Sequence, residues 1–133
     1  MDNTQNLGSE IRRLAELQSY AILDTGPEAQ YDQITQLASI IAGVPIALIG
    51  LIDEKRHWFK SRVGIDISEV NREHSICSET FKNDGPTIIA DLSNHVKYKD
   101  HVSVKTGLKV RFYAGFPIYS SAGYALGAIC VAD

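Results

Sequence analysis

Two stretches of the chain constrain its fold more than any others: VPIALIGLI at 44–52 and YALGAICVA at 124–132. Each is apolar at successive positions, so a strand built from it is apolar on both faces and must be covered on both. Each also has a partner. After 44–52 comes the turn Asp53-Glu54-Lys55, and 56–63 then alternates. Trp58, Lys60 and Arg62 share one face there, and His57, Phe59, Ser61 and Val63 the other. Residues 45–63 thus read as a β-hairpin. Residues 113–119 and 124–132 form a second hairpin around a turn at 120–123. In its last strand Leu126, Ala128 and Cys130 face one way, and Ile129 and Val131 the other. Pro117 has no N–H to give a ladder, so it belongs at a bulge or where no donor is needed.

The covering layer comes from helices. Ser9 is a good N-cap, and Ile11, Leu14, Ala15 and Leu17 line one face of a helix beginning at Glu10. Residues 1–8 read as a disordered tip. Gly26-Pro27 breaks the chain, and 27–42 has strong helical periodicity, with Tyr31, Ile34, Leu37, Ala38 and Ile41 on one stripe. Gly43 ends that helix and Pro45 prevents its continuation. Residues 64–74 read as a polar loop, 75–82 as a short helix anchored by Ile76 and Phe81, and 87–90 as a short strand. The polar stretch 91–107 reads as a long loop with one helical turn, a type of segment often functional in a compact domain. The class is α+β with an antiparallel sheet.

Composition removes several functions. The 133 residues suit one domain. A net charge of −3 without a basic run argues against a nucleic-acid partner, and no apolar run is long enough to span a bilayer. The polar start MDNTQNLGSE lacks the order of a signal peptide, so a cytoplasmic location without direct membrane contact is expected. Two cysteines, Cys77 and Cys130, without a CxxC pair, fit a reducing compartment and give no structural metal site. Asp24, Glu28 and Asp32 read as a solvated helical face. No nucleophile, base and oxyanion hole occur together, so no catalytic residue is assigned.

The segments RLAELQSYAILDTGPEAQYDQITQLAS (13–39), VPIALIGLID (44–53), HWFKSRVGID (57–66), REHSIC (72–77), RFYAGFPI (111–118) and GYALGAICVAD (123–133) run in an order that resembles a GAF domain. The resemblance is to the subgroup N-terminal to bacterial sensor histidine kinases and to GGDEF/EAL cyclic-di-GMP signalling proteins. It implies a profilin-like central antiparallel sheet of five or six strands, with helices on one face and a pocket on the other. It also implies a single domain over 9–133 whose C-terminal helix lies past Asp133, in a longer chain carrying an output domain.

The function implied by the resemblance is a non-catalytic sensory module. It would bind an unknown small ligand, dimerise, or do both, and so control a kinase, cyclase or phosphodiesterase. The helix at 9–20 is the natural dimer element. Within the layout so implied, Phe59, Ser75, Cys77, Asp91, Arg111 and Tyr113 would face one pocket. Arg111 would either pair with a ligand carboxylate or phosphate, or pin the loop by pairing with Asp91 or Glu73, with Tyr113 filling core. No cofactor or metal is assigned. Two alternatives stand beside the sensor. One is an enzyme like free methionine-(R)-sulfoxide reductase, in which Cys77 would need a second thiol close by. The absence of cysteine from 91–110, and the position of Cys130 in an apolar strand, weigh against it. The other is a pure interaction domain with a collapsed pocket.

Overall fold

The computed structural model describes residues 3–133, with side chains from Leu7 onward. Its centre is a six-stranded sheet, antiparallel throughout, in the order β3-β2-β1-β6-β5-β4. The strands are β1 (Ile46–Ile52), β2 (Arg56–Val63), β3 (Glu69–Asn71), β4 (Thr87–Ile89), β5 (Tyr113–Tyr119) and β6 (Ala125–Ala132). The two double-sided apolar strands pair with each other as β1 and β6 at the middle of the sheet, as their composition requires. Strand β3 lies within the stretch read as a loop; with only three residues, EVN, it has too little alternation to register. Pro117 lies past the point where β4 stops pairing, at Thr87–Gly115, so on that side there is no ladder for it to interrupt.

One face of the sheet carries helices α1 (Asn3–Ser19) and α2 (Ala29–Ala42). The other carries α3 (Cys77–Thr80), α4 (Val102–Lys105) and their connections, over the larger apolar core that includes Phe59, Phe81, Leu92 and Tyr113. Helix α1 begins at Asn3, inside the stretch read as a disordered tip; residues 1 and 2 lie outside the described residues. A helix nucleated by docked turns extends at the cost of one residue per hydrogen bond. Helix α2 ends as expected, with Gly43 in the left-handed region (φ 67°) donating its N–H to Ser39 and Ile40.

Two bulges overrule strict alternation. In β2, Ile49 pairs with Ser61 and Gly50 with Phe59, leaving Lys60 unopposed. Lys60 and Ser61 therefore turn to the same side, toward the helices. In β6, Ile118 pairs with Gly127 and Tyr119 with Ala125, leaving Leu126 unopposed. Leu126 packs with Leu17, Leu51 and Trp58 under α1. Ala128 and Cys130, expected on the same face as Leu126, belong to the opposite core. Strand β6 also approaches β1 closely: a Cβ on Gly127 would lie 2.0 Å from the carbonyl oxygen of Gly50, so only glycine fits there.

The bulge also reorients α2. Its apolar stripe was expected to face the core, yet Ile34, Leu37 and Ile41 are exposed. The side against the sheet is polar: Thr35, fully buried, lies 2.7 Å from the Ser61 hydroxyl, which donates to Asp32 at 2.6 Å. Lys60 is buried on the same side. It donates to Thr25 Oγ1 and the Gly26 carbonyl, both at 2.7 Å, and pairs with Glu28 at 2.6 Å. Satisfied hydrogen bonds decide the docking face, because an unpaired buried hydroxyl or ammonium costs more than exposing isoleucine.

Helix α1 is held by one buried guanidinium. Arg13 donates to the carbonyls of Ile52 (2.7 Å) and Ala125 (3.2 Å) and to Glu10 (2.8 Å). Arg72 reaches the same carboxylate at 2.7 Å, and both guanidiniums lie over the ring of fully buried Phe81. Burial alone would raise the Glu10 pKa, but Arg13 and Arg72 outweigh it and hold the carboxyl well below its ordinary value. A depressed folded-state pKa stabilises the fold above the unfolded-chain value of 4.5, and that stabilisation is lost as pH falls below it. Glu10→Gln is expected to cost about 1–2 kcal/mol at pH 7, allowing for partial solvent screening. Urea unfolding should show the gap between variant and wild type closing as pH is lowered through the acid range.

Candidate functional site

On the side of the sheet away from α1 and α2 lies a cavity of about 160 Å³. Its floor is the sheet, through Leu48, Phe59, Tyr113 and Cys130; its walls are Ile65 and Val70 after β2, the 74–77 turn, and Ser103, Leu108 and Val110 from the long connection. Four of the six residues expected to face a pocket line it: Phe59, Ser75, Cys77 and Tyr113. The alternation of β2 ahead of its bulge aims His57 and Phe59 the same way, their rings edge to face at 4.8 Å. The α3 turn brings Cys77 over β5, where its sulfur lies 3.0 Å from the Tyr113 hydroxyl; Thr80 Oγ1 lies 2.9 Å from that hydroxyl.

The other two expected residues are elsewhere, and the charged contacts foreseen for them do not form. Asp91 caps the turn at Leu92–Asn94: one carboxylate oxygen accepts from Ser93 N–H (3.0 Å) and Ser93 Oγ (2.6 Å), the other from Asn94 (2.9 Å). Both oxygens are engaged locally, and Asp91 is not part of the cavity lining. Arg111 is exposed and does pin the loop, but on backbone: its guanidinium donates to the carbonyls of Val104 (3.0 Å), Lys109 (3.1 Å) and Val110 (3.3 Å). It folds the segment that walls the cavity without entering it. Tyr113 is core and cavity floor at once.

Two further lining residues were not singled out from sequence. His57 is 2% exposed; its Nδ1 lies 2.8 Å from Ser75 Oγ, which also accepts the Ser78 N–H at 3.2 Å. The ring lies over Gly50, where any Cβ would meet Nε2 at 1.9 Å. Among the described residues Nε2 has no hydrogen-bond partner, and neither has Ser78 Oγ. Burial lowers the His57 pKa to about 4, so the imidazole is neutral near pH 7. The available signal was its two-residue spacing from Phe59. The second is Cys130, which lines the same cavity as Cys77; both are free thiols. The neighbouring Cys77 sulfur and burial together push the Cys130 pKa up. Among the described residues, no group of three His, Cys, Asp or Glu is placed to hold a metal ion.

Larger clefts lie on the helix side. One, of about 530 Å³ between α2 and β2, is bordered by Asp32, Thr35 and Ser61, which already bond one another, and by Lys60, which is bonded to Thr25, Gly26 and Glu28. Another, of about 370 Å³, is an apolar groove beside Tyr31, Ile34 and Ile129.

A sheet with paired helices on one face and a walled cavity on the other is the GAF arrangement. The chain belongs to the GAF domain family, whose pattern it matches over residues 9–133. It is similar to a cyclic di-GMP phosphodiesterase of Pseudomonas aeruginosa, 32% identical over 124 residues, which cover 93% of this chain and 21% of that protein. This chain thus spans about a fifth of that relative's length. Among solved structures it resembles the GAF domain of an Acinetobacter phosphoenolpyruvate-protein phosphotransferase, with a TM-score of 0.59, 15% identity, and coverage of 100% of this chain and 78% of that one. It also resembles a type II free methionine-R-sulfoxide reductase of Thermoplasma acidophilum, with a TM-score of 0.62, 15% identity, and coverage of 88% and 77%. At such identities the structural likenesses establish the fold alone.

The buried imidazole gives a measurable pH response. His57 binds a proton more weakly folded, at about 4, than unfolded, at 6.5. Stability is therefore complete above pH 6.5 and falls as pH drops toward 4, by about 3 kcal/mol if His57 acts alone. Urea unfolding across that range should show the slope, and His57→Gln should flatten it.

Proposed function

We propose that this GAF domain is a non-catalytic regulatory module that binds a small ligand in the 160 Å³ cavity and biases the state of an attached signalling output domain. The carrying observation is the cavity itself. It is walled by the long connection and lined by four of the residues the family resemblance pointed to. Those features favour a binding site over a collapsed interaction domain. The likeness to a cyclic di-GMP phosphodiesterase supports an output in cyclic-di-GMP signalling; a two-component kinase is the other output of the subgroup. A location inside the cell fits such a role, and among the described residues no helix is long and apolar enough to cross a membrane.

The reductase alternative gains one point and loses another. Cys130, whose place in an apolar strand weighs against the enzyme, lines the same cavity as Cys77. Among its described lining residues, however, none is Lys, Arg, Asp or Glu, so nothing there would pair with the ammonium and carboxylate of a free amino acid.

The half-buried rim residue Val110 gives the test, because tryptophan there would occlude the cavity. A metabolite screen by thermal shift should find compounds that raise the melting temperature in proportion to concentration. Val110→Trp should cut their affinity at least tenfold while remaining folded by circular dichroism. A screen without hits, or hits indifferent to Val110→Trp, would remove ligand sensing at this site.

Pairing of two copies through α1 is the second part of the proposal. Leu7 and Ile11, one helical turn apart, are 63% and 60% exposed, and Ile40 and Ile41 of α2 are 76% and 75% exposed. Exposed apolar surface of that extent favours association. Sedimentation should show a concentration-dependent dimer that Ile11→Glu shifts to monomer.

A further inference from the structure

We infer that the cavity selects a compact, uncharged, largely apolar molecule of about benzene to indole size carrying at most one hydrogen-bonding group, and that it excludes cyclic nucleotides and free amino acids. This inference rests on the ligand-binding reading above and adds the chemical class of the ligand.

Three observations carry it. The first is size. A cavity of about 160 Å³ is close to the roughly 150 Å³ at which an engineered protein cavity takes up benzene. A nucleotide, with base, sugar and phosphate, needs several times the room and could seat only part of itself in this open-mouthed cavity. The second is charge. The described lining includes aliphatic side chains, Phe59, Tyr113, two cysteines, two serines and two histidines, but no lysine, arginine, aspartate or glutamate. The guanidinium nearest in sequence, Arg111, lies outside the lining, with its Nη1 on three backbone carbonyls. The buried histidine is neutral near pH 7. An anion or cation entering here would shed its hydration and find no counter-charge, a cost of several kcal/mol.

The third observation is polar. Hydrogen-bonding groups of the lining are already paired: Ser75 with His57 Nδ1, Tyr113 with Cys77 and Thr80, and Ser103 with His101. His57 Nε2 has no partner among the described residues, but it is closed off against Gly50, which is not part of the lining. Apolar contact therefore carries the binding, and a ligand with several polar groups would leave them unpaired.

The test compares molecules of one shape and different charge on the wild-type domain: benzyl alcohol, benzoate and benzylamine, with cyclic AMP as the large anion. Binding is read at pH 7 by ligand-observed NMR titration. Benzyl alcohol is expected to bind at least tenfold more tightly than benzoate or benzylamine, cyclic AMP not to bind, and Val110→Trp to weaken benzyl alcohol at least tenfold. The isostere comparison needs no variant, so it stands even where Val110→Trp fails to fold. Equal affinity for the charged isosteres, binding of cyclic AMP, or benzyl alcohol binding that a folded Val110→Trp protein retains would overturn the inference. Benzoate or cyclic AMP binding that Val110→Trp abolishes would leave the ligand-sensing reading intact and remove only the neutral-ligand class. If none of these probes binds the wild type, this inference falls, and the metabolite screen alone decides the broader reading.

Discussion

The bulge at Lys60 is the constraint on which the rest of the structure depends. One unopposed residue in β2 divides that strand into two regimes. Ahead of it, His57 and Phe59 point into the cavity and Trp58 into the small core under α1. At and after it, Lys60 and Ser61 both turn to the helices and supply the polar contacts that seat α2 and the connector before it. Without the extra residue Ser61 would share the face of Phe59, a hydroxyl would be carried toward an apolar core, and Thr35 would lose its partner.

The two faces of the sheet are linked through a short helix. Helix α3 places Cys77 and Thr80 against Tyr113 at the cavity, and the next residue, Phe81, lies buried beneath the guanidiniums of Arg13 and Arg72. Arg13 belongs to α1, and Glu10 of the same helix accepts from Arg72. The cavity wall and the N-terminal helix therefore share one rigid element and one ion cluster. Such a contiguous arrangement allows two states to be coupled, provided a ligand prefers one of them.

Strong local patterns made much of the fold legible. The double-sided strands, both hairpins, the Gly43 stop and the inward anchors Ile76 and Phe81 depend on periodicity and turn chemistry alone. Strand β3 was too short to carry a pattern, and the buried face of α2 was misread because its apolar stripe outweighed a single threonine. At the site, Phe59, Ser75, Cys77 and Tyr113 were accessible through family resemblance, and His57 through its spacing from Phe59. Asp91 and Arg111 lie outside the cavity for one reason: each hydrogen-bonds within its own loop, and no residue pattern shows whether a charged group will look outward or fold back.

By itself, the sequence determined the class of fold and the central position of β1 and β6. Those follow from how much apolar surface each segment must hide, a property that travels with the residues. Only the tertiary structure decided that Cys77 and Cys130 share a cavity, that this cavity has no charged lining among its described residues, and that α2 docks by its polar side. These outcomes turn on register, and register is set by where a bulge falls between two strands and by which buried polar atoms find partners across the fold.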